Sequence, residues 1–197
     1  MSRFQNTRQP DWDWWGKLWP TPGETLRDFG LSSGETVVEI GCGDGYFALP
    51  AARIVDPGTV YALDLEASLL SELEAIAEQQ QIENVVPLEG DARSLADHLP
   101  ESVDVAVIAN TFHGVDDPTP LVEEIADVLV EDGSFIVVNW RDRPKETTTV
   151  DGEARGPPTE LRLAPDATRA AVEAASELTL TEAVDIPPYH YALCFDR

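Results

Sequence analysis

Lysine is nearly missing from this chain: Lys17 and Lys145 are the only two in 197 residues. Counting arginine, 13 cations face 37 acids, for a net charge of −24. Such a surface repels nucleic-acid phosphates and anionic membranes, so neither is expected as a partner. The acids are dispersed rather than gathered in a tail, which looks like the proteins of salt-loving microbes, where concentrated salt screens the self-repulsion. On this halophilic reading the melting temperature rises steeply with added KCl, and a flat or falling melt series excludes it. Cysteine is as scarce. Cys42 and Cys194 are too few for a disulfide framework, which points to a reduced, intracellular protein. No C-x-x-C or H-E-x-x-H spacing announces a metal site, and none is expected. No run approaches the ~20 apolar residues of a membrane span, and residues 1–10 are polar, without the apolar centre of a signal peptide. A cytoplasmic location is the expectation. There is no internal repeat and no low-complexity tract. The hydrophobic content, 43%, is ordinary, and at this length it serves one domain with a substantial core.

Against these absences one stretch stands out. Val37 to Gly45 reads Val-Val-Glu-Ile-Gly-Cys-Gly-Asp-Gly. Its β-branched residues make a short buried strand, and Gly41, Gly43 and Gly45 then let the backbone turn sharply and approach a ligand. The spacing is G-x-G-x-G, not the G-x-G-x-x-G of dinucleotide sites, and Glu39 stands two residues before the first glycine. A carboxylate there repels a pyrophosphate but can pair, directly or through water, with a cationic amino-acid group. An ordinary tight strand-to-helix turn is the plain alternative. Cys42, inside the loop, reads as a small buried filler in preference to a reactive thiol.

The remaining chain alternates strand and helix patterns. Strands are expected at Thr36–Ile40, at Thr59–Leu63 ending in Asp64, and at Asn84–Leu88, where Pro87 marks an edge. Val103–Ala109 is the most continuously apolar strand and so belongs at the centre, and Ser134–Trp140 is a fifth. Helices are expected from Tyr46 to Val55, Glu66 to Gln80, about Leu95 to His98, Leu121 to Val130 and Pro165 to Ala175. Residues 141–165 form an irregular insertion, of the kind that is more often functional than idle. Thr179–Ile186 and Tyr189–Phe195, joined by two prolines, form a terminal antiparallel hairpin. Thr21 and Glu24 signal a capping box for a helix ending near Asp28 or Phe29. Before it, Trp12, Trp14, Trp15 and Trp19 crowd into eight positions, either packing on the core or forming a lid over a substrate. The division expected is a Trp-rich segment and capping helix over residues 1–30, followed by a ligand-binding domain over 31–197. The class is α/β, a doubly wound, mostly parallel seven-stranded sheet.

Asp64 lies 19 positions after Gly45, where a carboxylate can accept both hydroxyls of a ribose, though it can equally cap the next helix. Asp91 follows the third strand in Gly90-Asp91-Ala92, where a turn or cap is the alternative. Taken together, Glu39, the glycine turn, Asp64 and Asp91 resemble the motifs of the class I S-adenosylmethionine (SAM)-dependent methyltransferases over about residues 36–140. The small-molecule, ubiquinone-biosynthesis or type 11 branch is the most similar. The resemblance implies a Rossmann-like fold and SAM as cofactor, held by Glu39, Gly41, Gly43, Gly45, Asp64, Leu65, Asp91, Ala92 and Asn110. It also implies methyl transfer to a small-molecule acceptor by in-line displacement, which requires alignment more than a strong acid-base pair.

The fourth-strand motif, Ala109 to Val115, departs from the N/D-P-P-Y/F pattern, which puts methylation of amide or base nitrogens in doubt. Asn110 and His113 are the catalytic candidates; His113 can serve as general base or merely hydrogen-bond within its loop. Trp15, Trp19, Trp140, Arg141 and His190 are the substrate candidates. Arg141, with Arg143 and Arg155, can bind a substrate carboxylate or phosphate or simply neutralise acids. His190 can equally serve packing. A SAM-binding regulatory or scaffold protein without turnover is the second reading. An NAD-dependent oxidoreductase is a third, disfavoured by Glu39 and the glycine spacing. Nothing in the sequence sets an oligomeric state.

Overall fold

Five short runs rich in valine and isoleucine pair in parallel: β1 (Val37–Ile40), β2 (Val60–Asp64), β3 (Val85–Glu89), β4 (Val103–Ala109) and β5 (Leu129–Trp140). The computed structural model describes residues 12–19 and 21–197, without the side chains of 12 and 13. The expectations for residues 1–10 and for the Trp12 ring fall outside that range. Two further strands, β8 (Thr179–Ile186) and β9 (His190–Asp196), add antiparallel, giving the order β3-β2-β1-β4-β5-β9-β8. This is the Rossmann-like, seven-stranded sheet with a terminal hairpin that the sequence predicts. β4 is central and β3, carrying Pro87, is an edge, both as expected.

Helices α1 (Trp12–Leu18), α2 (Pro22–Asp28), α3 (Ala48–Val55) and α4 (Ala67–Gln80) belong to one side, and α5 (Thr119–Val128) and α6 (Pro165–Ala175) to the other. Because strand side chains alternate faces, each side has its own core. Val37, Val105, Ile136 and Val138 pack with Leu70, Leu73 and the tryptophans, while Val38, Ile108, Phe135 and Val137 pack with Ile125 and Val172. Trp14, Trp15 and Trp19 are buried in the first of these cores. Among the described residues no helix is long and apolar enough to cross a membrane.

Three local expectations are corrected. Helix α5 stops at Val128, because Leu129 is buried and pairs with Val103; the chain then loops out, with Asp132 at φ 65°, and pairing resumes at Ser134 opposite Val105. The capping box is not closed. Thr21 does precede α2, but its side chain makes no cap bond, and its carbonyl instead accepts from the Glu24 and Thr25 N–H groups. The insertion is not irregular throughout, since β6 (Thr149–Val150) and β7 (Glu153–Ala154) form a small hairpin. Its Asp151-Gly152 turn has both φ values positive, the geometry that this dipeptide favours.

Candidate functional site

The carboxyl ends of β1 to β5 open onto one cavity of about 1000 Å³, at the point where strand order reverses between β1 and β4. The glycine loop forms its floor. Gly41 is held at φ 70°, and a Cβ there would lie 2.6 Å from Thr111 Cγ2, so any side chain strains the backbone and strikes the next loop. The Gly43 N–H donates to Asp64 Oδ2 at 2.8 Å, and the Glu66 N–H donates to Asp64 Oδ1 at 3.0 Å. Asp64 therefore ties the glycine loop to the start of α4, and each oxygen keeps a further lone pair.

Glu39 is only 3% exposed. The Ala48 N–H donates to its carboxylate, but Oε2 is buried with no hydrogen-bond partner. Burial, reinforced by the nearby charges of Asp64 and Asp44, holds its pKa well above the usual carboxylate range. A cation in the cavity would reverse that penalty. Asn110 is a further unsatisfied group: it sits at φ 57°, and both its amide atoms are buried without partners. Leu65, 48% exposed, and Ala92 offer apolar surface at the wall. Asp91 also lines the cavity, but Arg93 engages it through its backbone N–H (2.9 Å) and Nε (3.0 Å), and this pairing lowers its pKa.

On the β5 side, His113 lines the cavity and its Nδ1 lies 3.0 Å from Asn139 Oδ1. The Trp140 N–H, which can only donate, bonds to the same amide atom at 3.0 Å. That atom is thus an oxygen already acting as acceptor, so His113 Nδ1 carries the proton and Nε2 holds the lone pair. Burial, with help from the Arg162 charge and against the Asn139 bond, pushes the His113 pKa down to about 4. The ring is neutral at neutral pH. Arg162, itself buried, donates to the carbonyls of Pro157, Arg143 and Arg155 and to Thr148 Oγ1, and lies over the Trp140 ring.

A family model described as "Methyltransferase domain" matches residues 31–178, well over half of the chain. The chain belongs to the methyltransferase domain family. A protein of Methanosarcina acetivorans named as a cobalt-precorrin-6B C(15)-methyltransferase (decarboxylating) is 32% identical over 118 residues, covering 58% of this chain and 60% of the relative. The chain thus spans about 60% of the length of that relative. A SAM-dependent methyltransferase from Aquifex aeolicus has the same fold, with a TM-score of 0.78 at 21% identity over 96% of this chain and 99% of the other. A Sulfolobus solfataricus protein assigned to the type 11 methyltransferases superposes at a TM-score of 0.68 with 24% identity, over 89% and 91% of the two chains.

The donor set fits SAM, the cofactor that the sequence resemblance implies. Unpaired Glu39 Oε2 suits a cationic amino group, the spare lone pairs of Asp64 suit ribose hydroxyls, and Leu65 suits a flat ring. Glu39, Gly41, Gly43, Asp64, Leu65, Asp91, Ala92, Asn110, His113, Trp15 and Trp140 all line the cavity. Gly45, at φ 95°, instead lets α3 and α4 approach: a Cβ there would meet Leu49 and Leu73 at 3.0–3.1 Å. Three substrate candidates lie elsewhere. Trp19 is buried against Phe47 and His190, and His190 against Trp15, Trp19 and Trp140. Burial, then the Arg162 and His113 charges, lower the His190 pKa to about 3, as suits a packed, neutral ring. Arg141 turns away to pair with Asp185 on β8. Cys42 is buried at the cavity wall, and burial raises its thiol pKa, which favours the small buried filler over a reactive thiol. Asn139, Arg162 and the cavity residue Lys145 were not singled out by sequence, whereas the cavity residues Trp14 and Arg155 were, as part of the Trp-rich cluster and as a candidate for binding a carboxylate or phosphate. Asn139 alone left a signal, a polar residue inside the apolar run from Phe135 to Trp140.

Proposed function

We propose that this protein methylates a protic small molecule, one that presents an O–H or N–H group to His113. The observation that carries the reading is the buried, unpartnered Oε2 of Glu39 in the wall of a cavity large enough for two ligands. When bound, SAM supplies a methyl group made electrophilic by its sulfonium. Glu39, Asp64 and Asp91 hold and orient that cofactor, and Asn110 offers two buried hydrogen-bonding atoms beside the reacting centre. Neutral His113 accepts the hydrogen bond of the acceptor at Nε2, aligning it, and takes up the proton released. Trp14, Trp15 and Trp140 exclude water from that side, with the Trp-rich helix α1 acting as a closure over the domain of residues 31–197. The acid-rich surface and scarce cysteine support a cytoplasmic, salt-adapted setting.

Calorimetric titration with SAM and with NAD, followed by turnover of methyl-labelled SAM against a panel of phenols, hydroxy acids and amines, tests this. SAM binds, NAD does not, and at least one protic acceptor is labelled; His113→Ala keeps cofactor affinity and loses most turnover. Binding of NAD alone overturns the cofactor assignment. Full turnover by the His113 variant removes that residue from the mechanism, and labelling of no acceptor favours the regulatory reading.

A further inference from the structure

The cavity is polarised. At its β1, β2 and β3 side stand Glu39, Asp64 and Asp91, with Arg93 there paired to Asp91; the insertion after β5, which lies two strands beyond β1, contributes Lys145 and Arg155. The three acids thus stand in or just after strands on one side of β4, and the two cations come from the chain that follows β5 on the other. Asp116 and Asp117, after β4, lie between, but Asp117 Oδ1 is occupied by the Thr119 N–H and Asp116 is also engaged.

Cations are rare here, and acids to pair with them abound. Even so, the Lys145 ammonium has no ion pair among the described residues. Arg155 pairs one terminal nitrogen with Glu153 at 2.6 Å, yet its Nε is buried and has no hydrogen-bond partner. Its guanidinium lies 5.2 Å over the Trp14 ring, which is itself buried at the cavity wall. A buried N–H left unbonded is costly unless a ligand meets it. One unpaired ammonium and one unsatisfied guanidinium N–H beside flat aromatic walls are complementary to an oxyanion on a planar body.

We infer that the methyl acceptor is an anion: a planar molecule whose carboxylate or phosphate is seated by Lys145 and Arg155, away from the reacting group. This rests on the methyltransferase reading above and supplies its substrate class. It also accounts for the opposite charge of the two halves, since a cationic cofactor and an anionic acceptor each then meet their complement. Arg155 enters as a specificity residue in place of Arg141, which faces β8.

The test measures tryptophan fluorescence and calorimetry on the full chain saturated with S-adenosylhomocysteine, the demethylated cofactor, at one fixed KCl concentration. Benzoate, phenyl phosphate, benzamide and benzylammonium serve as probes. At least one of the two anions binds at least ~10-fold more tightly than benzamide, and benzylammonium binds least; comparing benzoate with phenyl phosphate tells carboxylate from phosphate. The double variant Lys145→Gln with Arg155→Gln loses this preference while its affinity for S-adenosylhomocysteine changes less than threefold, which also shows that it is folded. Each single variant loses part of the preference. Equal binding of benzamide, no anion binding up to millimolar concentration, or a preference that survives in the double variant overturns the inference. Failure of the wild type to bind S-adenosylhomocysteine overturns the underlying reading instead.

Discussion

Asp64→Ala raises the dissociation constant for SAM by roughly 100-fold or more, equivalent to about 2.8 kcal/mol. Two losses combine to give this size. The first is of the preformed loop: Oδ2 fixes the Gly43 N–H at 2.8 Å and Oδ1 the Glu66 N–H at 3.0 Å, and hydrogen bonds to a charged group contribute ~1.5–3 kcal/mol each. Gly43, at φ 57°, then has fewer restraints and must be reordered when ligand binds. The second is of the lone pairs that face the cavity. One effect runs the other way, since the Asp64 charge raises the Glu39 pKa and its removal lets Glu39 ionise more readily. That gain is secondary to burial, the larger cause, and does not recover the loop. Asp64→Asn, which keeps one oxygen for Gly43, falls between. Calorimetry on the three proteins decides the matter; a loss under threefold for the alanine variant removes Asp64 from the cofactor site.

The half of the cavity proposed for the cofactor was legible in sequence because its parts are local. Glu39 precedes its glycines by two residues, Asp64 ends the apolar run of β2, and Asp91 follows β3 by two residues. The half proposed for the acceptor was not, because it is assembled by contacts between distant segments. His113 and Asn139 meet across 26 positions, and Arg162 reaches back 14 to Thr148. Neither pairing follows from periodicity. His190 and Arg141 were misplaced for a related reason. Sheet register seats His190 opposite Trp140, inside the aromatic core, and Arg141, one residue past the end of β5, continues toward the edge strand β8 instead of the cavity. The Asp151-Gly152 turn was readable but was hidden among prolines and threonines.

Arg162→Met gives the second large effect, and the form it takes follows from where the arginine sits. Methionine retains much of the apolar stem that packs beside Trp140, so the variant chiefly removes the guanidinium and its four hydrogen bonds. Each stranded acceptor costs ~1–3 kcal/mol while it stays buried, a total comparable with the ~5–15 kcal/mol that holds a typical domain together. The chain has a less costly way out. Residues 141–164 carry only a hairpin with two-residue strands and two short 3₁₀ turns, so they can open to water and let the carbonyls rehydrate while the sheet stays folded. The melting temperature therefore drops by only about 2–8 °C, corresponding to ~1–2 kcal/mol at this chain length. Limited proteolysis within the insertion accelerates by about 100-fold instead, tracking the population of the open form. Gly156 shows how tightly the closed form is built: a Cβ there would lie 2.9 Å from both the Arg162 guanidinium and the Trp140 ring. Since Arg155, Gly156 and Pro157 line the acceptor side of the cavity, turnover falls by about 100-fold while SAM affinity, set on β1 to β3, changes little. Arg162→Lys restores less than half of the loss, because one ammonium cannot reach acceptors spread around a planar fork. An Arg162→Met protein as protease-resistant and as active as wild type would mean that the insertion is held closed by something other than this arginine.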